Sequence, residues 1–261
     1  MSVSVDEIAP DVYRLANFVE DVPPAGFTFN QFLVVDDEPL LYHTGPRALF
    51  PAVSAAVERV LGDLGRLRWV SFSHHEGDES GSMNEWLHAA PHAEVTFNAL
   101  GCELTLTDIA IRPPKVLTED EALPIGTKRF RMIETPHVPH NWESQVLFEE
   151  TTGTLFCGDI LTQLGDRGPV VEDDVYEPAL EADDMFAYQS LSAHTGATMR
   201  RLAALEPSTL AIMHGASFSG GAAPLLDELA REYDERVIHA VERGGGEVHG
   251  KGCPDIPGQR S

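Results

Sequence analysis

The chain has 261 residues, 43% of them hydrophobic, and 42 acidic against 18 basic side chains give it a formal net charge of −24. That length suits one large domain or two small ones and is enough to bury a sizeable core. So acidic a surface repels phosphate backbones and anionic bilayers, which argues against nucleic acid or membrane as a partner.

In chain order, Val12–Leu15 reads as a first edge strand, and Phe29–Val35 and Leu40–Tyr42 read as a hairpin turning at Asp36–Pro39. His43-Thr44-Gly45-Pro46 closes that hairpin. Phe50–Leu61 is an amphipathic helix with Val53, Val57, Val60 and Leu61 on one face. Trp69–Ser73 is a short, nearly uncharged strand, and a helix through Asn84–His88 follows with Ser80 as its expected N-cap. Glu94–Phe97 is a strand leading into a short helix near Asn98. Lys128–Glu134, Ser144–Glu149 and Thr154–Cys157 are strands. Residues 158–183 read as a long acidic loop, expected either over a pocket or at a subunit contact. Met185–Leu205 and Pro224–Val241 read as helices around a strand at Leu210–Met213. The expected organisation is one domain over residues 1–245 and a loosely held tail over 246–261.

This order suits two sheets packed face to face with helices outside, a four-layer αββα sandwich, better than a doubly wound sheet. The Gly-rich first turn of a dinucleotide-binding fold is absent. Three scattered cysteines, Cys102, Cys157 and Cys253, offer neither a disulfide framework nor a C-x-x-C zinc site, and they fit a reducing cytoplasm. No leader peptide and no membrane span are expected, because the N-terminus has no apolar run and nothing approaches 18 consecutive apolar residues.

Between the Trp69 strand and the next helix lies His74-His75-Glu76-Gly77-Asp78-Glu79, with five side chains that bind metals or move protons. His74, Glu76 and Asp78 alternate, so an extended loop would aim all three one way and His75 the other. Three later segments place a candidate ligand just after a strand: His137 and His140 in Thr135–His140, Asp159 in Leu155-Phe-Cys-Gly-Asp159, and His214 in Met213-His214-Gly215. Singly each is weak; together they supply imidazoles and carboxylates from four strand ends, where open folds assemble their sites.

This four-segment pattern resembles the metallo-β-lactamase superfamily, and within it the branch of flavodiiron and oxygen-binding diiron proteins. That branch carries H-x-E-x-D-H followed by Ser-Gly, matched here by His74, Glu76 and Asp78 with Ser80-Gly81. Ser144, four residues after His140, picks His140 over His137 as the next family histidine. The resemblance implies one metal held by His74, Glu76 and His140, a second by Asp78 and His214, and Asp159 between them. Glu79 stands where the family usually has another histidine, leaving two readings open: a ligand, or an outer group orienting a ligand. His43, in place of an aspartate, and His137 are candidates for such outer donors; His75 is expected to pack.

The resemblance further implies two iron ions, with Mn or Zn as substitutes, and a stand-alone diiron protein that binds or reduces O2 or NO. Electrons would be expected from a separate donor protein, since no FMN-binding flavodoxin domain is expected in this chain after His214. A metal-dependent hydrolase of an ester, lactone or thioester is the alternative of another class, and a non-catalytic O2 or redox sensor is a third. A homodimer is compatible with all three.

Overall fold

Strands buried on both faces explain the architecture. In the computed structural model, which describes residues 2–242, the chain begins with β1 (Ser4–Ala9), β2 (Val12–Val19) and β3 (Phe27–Val34). Alternate residues of β3 serve different cores, as the two-residue period of a strand requires. Phe32 and Val34 pack with Phe130, Leu147 and Phe156 between the sheets, whereas Leu33 packs with Leu15, Val53 and Trp86 beneath the outer helices.

The first sheet continues through β4 (Leu40–Tyr42), β5 (Trp69–Ser71), β6 (Glu94–Asn98) and β7 (Lys115–Leu117), in the order β1-β2-β3-β4-β5-β6-β7. It is antiparallel up to β4 and parallel from there to β7. The second sheet contains β8 (Ala122–Pro124), β9 (Arg129–Glu134), β10 (Gln145–Glu149), β11 (Thr154–Gly158), β12 (Val170–Val171), β13 (Thr209–Ile212) and β14 (Ser217–Ser219). Its order is β12-β14-β13-β11-β10-β9-β8.

Helices α1 (Phe50–Leu61) and α2 (Met83–Ala89) cover the first sheet. Gly62 ends α1 at φ 79°, a left-handed cap natural to glycine. A short irregular run follows β6: α3 (Ala99–Gly101), a π turn at Cys102–Leu106 and α4 (Thr107–Ile109). Asn98 caps it by accepting from the Gly101 N–H. Helices α5 (Tyr176–Phe186), α6 (Thr195–Ala203) and α7 (Ala222–Glu242) cover the second sheet through Ala179, Met199, Leu202, Leu226 and Leu229. The result is the expected four-layer αββα sandwich. No helix among the described residues is long and apolar enough to cross a membrane.

Several local expectations are corrected. The edge strand is β1, not the Val12 strand, which β1 covers. Residues 158–183 are not one loop: they hold β12 and most of α5. The helix expected over 185–205 is broken, because α5 ends at Ala187 in a left-handed conformation and α6 begins only at Thr195. Between them Gln189 bonds the Pro139 and Ser190 carbonyls and takes its own N–H to Asp183. The expected 246–261 tail, the 1–245 boundary and Cys253 lie outside the described residues.

Topology gathers the strand ends. β9 is antiparallel to β10 and β10 to β11, while β11 runs parallel to β13. The carboxyl ends of β9, β11 and β13 therefore share one edge. The first sheet is tied to that edge by Gln145 N–H to Ser73 O (2.8 Å) and Asn30 N–H to Met213 O (3.0 Å). The Asn30 amide also donates to the Ile212 and Gly215 carbonyls, 2.9 Å each, and Arg14 donates to Gly215 at 2.9 Å. These buried bonds hold the turn that carries His214. Asn30→Ala removes two of them and leaves Gly215 O with the Arg14 donor alone, so it is expected to lower stability in urea by about 1–3 kcal/mol. An unchanged denaturation midpoint would show that the turn needs no such clamp.

Candidate metal centre

The first motif reaches the pocket by a turn, not by the pleat of an extended loop. Ser80 donates both its N–H (2.8 Å) and its hydroxyl (2.9 Å) to Glu76 O. A Cβ on Gly81 would stand 2.1 Å from Gly77 O, so only glycine lets the turn close. Ser80 is therefore a turn residue; the N-cap position of α2 is Ser82, whose side chain makes no capping bond. His75 points elsewhere, 3.1 Å from the Ser80 hydroxyl and packed against Phe72 and Phe97.

Three imidazoles converge on Asp159 through Nε2, each held from behind at Nδ1. His214 Nδ1 donates to Thr28 O at 2.8 Å and His140 Nδ1 to Tyr188 O at 2.9 Å. His74 Nδ1 lies 2.8 Å from Ser73 Oγ and 3.4 Å from Glu79 Oε2. The two carbonyl contacts fix the tautomer, and all three contacts fix the orientation, that a metal-ligating histidine needs. The Ser144 hydroxyl bonds the His140 carbonyl and closes the turn that presents it.

Asp159 is the centre. Its Oδ2 lies 3.6 Å from His74 Nε2 and 3.7 Å from His140 Nε2, and its Oδ1 lies 3.2 Å from His214 Nε2. Glu76 Oε1 reaches His140 Nε2 at 3.0 Å and His74 Nε2 at 3.8 Å, and Asp78 Oδ2 reaches His214 Nε2 at 3.3 Å. His74, Glu76, His140 and Asp159 offer donor atoms all within 4.8 Å of one another. Yet His74 Nε2, His140 Nε2 and Asp159 Oδ1 are buried without a hydrogen-bond partner. Atoms so close that aim at common points rather than at each other are what a bound cation would satisfy, and a mixed imidazole and carboxylate set suits a divalent transition metal.

Glu79 does not line this pocket. Its Oε2 accepts the N–H groups of Ser73 (3.0 Å) and His74 (2.8 Å), and both carboxylate oxygens lie 2.7 Å from the Ser73 hydroxyl. His43 is fully buried with Nε2 3.5 Å from Glu79 Oε1, so it touches the carboxylate that supports His74. His137 is exposed, in a turn at φ 63° where its N–H bonds Asn141 O, and the outer-donor role expected for it has no geometric basis. Sequence reasoning passed over Ser73, Phe27 and Tyr188. Phe27 stacks on His214 at 4.2 Å between centroids and, with Phe186 and Val22, makes the apolar wall of a pocket of about 430 Å³. Only Ser73 carried a signal, through its place beside the motif.

The charges respond strongly to this packing. Burial alone would lower His74 and His214, but Glu79, Glu76 and Asp159 around the first and Asp159 and Asp78 around the second push both up to about 10. Burial works against Asp159, yet His214, His74 and His140 hold it well below the usual carboxylate range. Burial drives Glu79 upward against the pull of His74, and it drives His43 down to about 3. Both His74 and His214 are thus expected to carry a proton near neutral pH in the metal-free protein, and a cation binding at Nε2 would have to displace it. Titration of metal-free protein with Mn2+ at pH 7, in buffers of different ionisation enthalpy, is expected to release protons, with apparent affinity rising with pH. Binding without proton release would contradict this charge assignment.

Known structures share this architecture. A fragment of diflavin flavoprotein A from Nostoc aligns with a TM-score of 0.78 at 14% identity, covering 94% of this chain and 98% of that one. The flavodiiron protein of Giardia intestinalis aligns with a TM-score of 0.76 at 17% identity, over 90% of this chain and 60% of its own. Rubredoxin oxygen:oxidoreductase from Desulfovibrio gigas gives 0.74 at 17%, over 87% and 62%. The chain thus spans about three-fifths of the length of the latter two, and at these identities the likeness is one of fold. No curated protein matches. Residues 27–215, most of the chain and all six candidate donors, match the family described as ODP family beta lactamase, and the chain belongs to that family.

Proposed function

We propose that this protein is a non-haem diiron protein that binds or reduces O2 or NO with electrons from a separate donor protein. The observation that carries this reading is Asp159, one oxygen turned to His74 and His140 and the other to His214. On this reading His74, Glu76 and His140 hold one ion, Asp78 and His214 hold the other, and Asp159 lies between. Three carboxylates among six donors favour harder and more oxidised ions than a nitrogen-rich zinc site does, which supports iron, with manganese or zinc as substitutes. A pair of iron ions supplies the redox chemistry needed for O2 or NO.

The protein's own residues supply orientation and seclusion. Thr28, Tyr188 and Ser73 fix the three imidazoles through Nδ1. Phe27, Phe186 and Val22 keep one side of the pocket apolar, which suits a small uncharged reactant. Glu76 and Asp78 line the more open side and keep a cation accessible from solvent. The fold relatives include proteins described as flavodiiron proteins and as an oxygen:oxidoreductase, which agrees with this reading.

The pocket volume of about 430 Å³ also accommodates an organic molecule, which favours a metal-dependent hydrolase of an ester, lactone or thioester as the second reading. Anaerobic loading with Fe2+ followed by metal analysis and absorption spectroscopy separates the two. The diiron reading predicts about two irons per chain and a ferric charge-transfer band on exposure to air. Asp159→Ala is expected to lose both ions, whereas His75→Ala retains them. Zinc content with fast ester or lactone turnover would favour the hydrolase, and equal metal loss in both variants would contradict the assigned ligands.

A further inference from the structure

We infer that the two metal positions of this chain are unequal, one filling tightly and the other remaining weak and exchangeable, because Glu79 is committed to supporting His74 and gives nothing to the second ion. This rests on the two-metal reading above. Around Asp159 the donors divide unevenly. On the Oδ2 side stand His74, Glu76 and His140, and with Asp159 they form a four-donor cluster. On the Oδ1 side, among the described residues, stand only His214 and Asp78.

Among the described residues, two further groups, Glu79 and His43, lie close enough to the motif to be considered for that poorer side, and the structure uses both elsewhere. Glu79 follows Asp78 directly, but its carboxylate accepts from two buried backbone N–H groups and the Ser73 hydroxyl. Turning it into the pocket would leave the Ser73 and His74 N–H groups buried without acceptors, a large penalty. It would also remove the carboxylate that faces His74 Nδ1 at 3.4 Å. His43, the other buried imidazole, meets Glu79 rather than the pocket. The second position is thus left with two carboxylates and one imidazole, and Asp78 is partly exposed at its rim. Water or an added small ligand would complete its coordination.

The test is an anaerobic titration of metal-free protein with Co2+, read by absorption and by metal retained after desalting. Two steps are expected, with dissociation constants at least about 100-fold apart and about one ion retained per chain; loss of one supporting contact alone changes metal affinity 10–100-fold. Asp78→Asn is expected to remove the weak step and leave the tight one. Glu79→Gln is expected to weaken the tight step by about 10–100-fold, through His74, without removing the weak step. Two equally retained ions would overturn the inference and leave the two-metal reading standing, whereas no retained ion would overturn both. Loss of the weak step alone in Glu79→Gln would make Glu79 a ligand of the second ion and also overturn the inference. Should Glu79→Gln fail to fold, the wild-type titration and Asp78→Asn decide the matter.

Discussion

A carboxylate buried between two sheets is tolerated only where positive charge meets it, and in this protein everything at the functional edge serves that requirement for Asp159. The group lies at the end of β11, flanked by imidazoles from three other segments. Each imidazole is fixed by a contact reaching in from a different part of the chain: Thr28 of β3, Tyr188 after α5 and Ser73 after β5. Four segments distant in sequence are therefore coupled at one point, and the inter-sheet bonds of Asn30, Arg14 and Gln145 are what bring their ends to the same edge.

Gly158 shows how closely backbone and site are fitted. It sits at φ 58°, and a Cβ there would lie 2.3 Å from Ser73 Oγ and 3.6 Å from Glu79 Oε1. Glycine is thus required twice over, for a left-handed conformation and for contact between the strand that delivers Asp159 and the serine that holds His74. The Ser73–Glu79 pair is as much a part of the centre as the groups facing the pocket. It leaves Glu76 and Asp78 to line the pocket and turns Glu79 inward.

Much of this was legible in the sequence, for physical reasons. Long apolar strands and the 50–61 helix declare themselves by periodicity, and the candidate donors stand out because strand ends rarely carry so many imidazoles and carboxylates. The Ser144 spacing that selected His140 has a structural basis, since that hydroxyl bonds the His140 carbonyl. What could not be read is what only neighbours determine. β7, β8, β12 and β14 are two or three residues long and owe their strand form to the sheets they join. The break between α5 and α6 depends on Gln189 reaching Pro139 across the fold. The direction of Glu79 depends on two N–H groups without another acceptor, and no pattern in the motif encodes it. Glu76 and Asp78 do line the pocket and His74 meets Asp159 at its floor, but a hydrogen-bonded turn brings them there, where strand-like alternation was expected.

Asp159 is the hinge between the two proposed cation positions, on an edge built from both sheets. Crystals of iron-loaded protein, measured on either side of the iron absorption edge, would test this most directly. The predicted result is a strong anomalous peak among His74, Glu76 and His140 and a weaker one beside Asp78 and His214, with one oxygen of Asp159 toward each. A single peak away from Asp159, or Glu79 turned out of its backbone cradle toward a metal, would contradict the account.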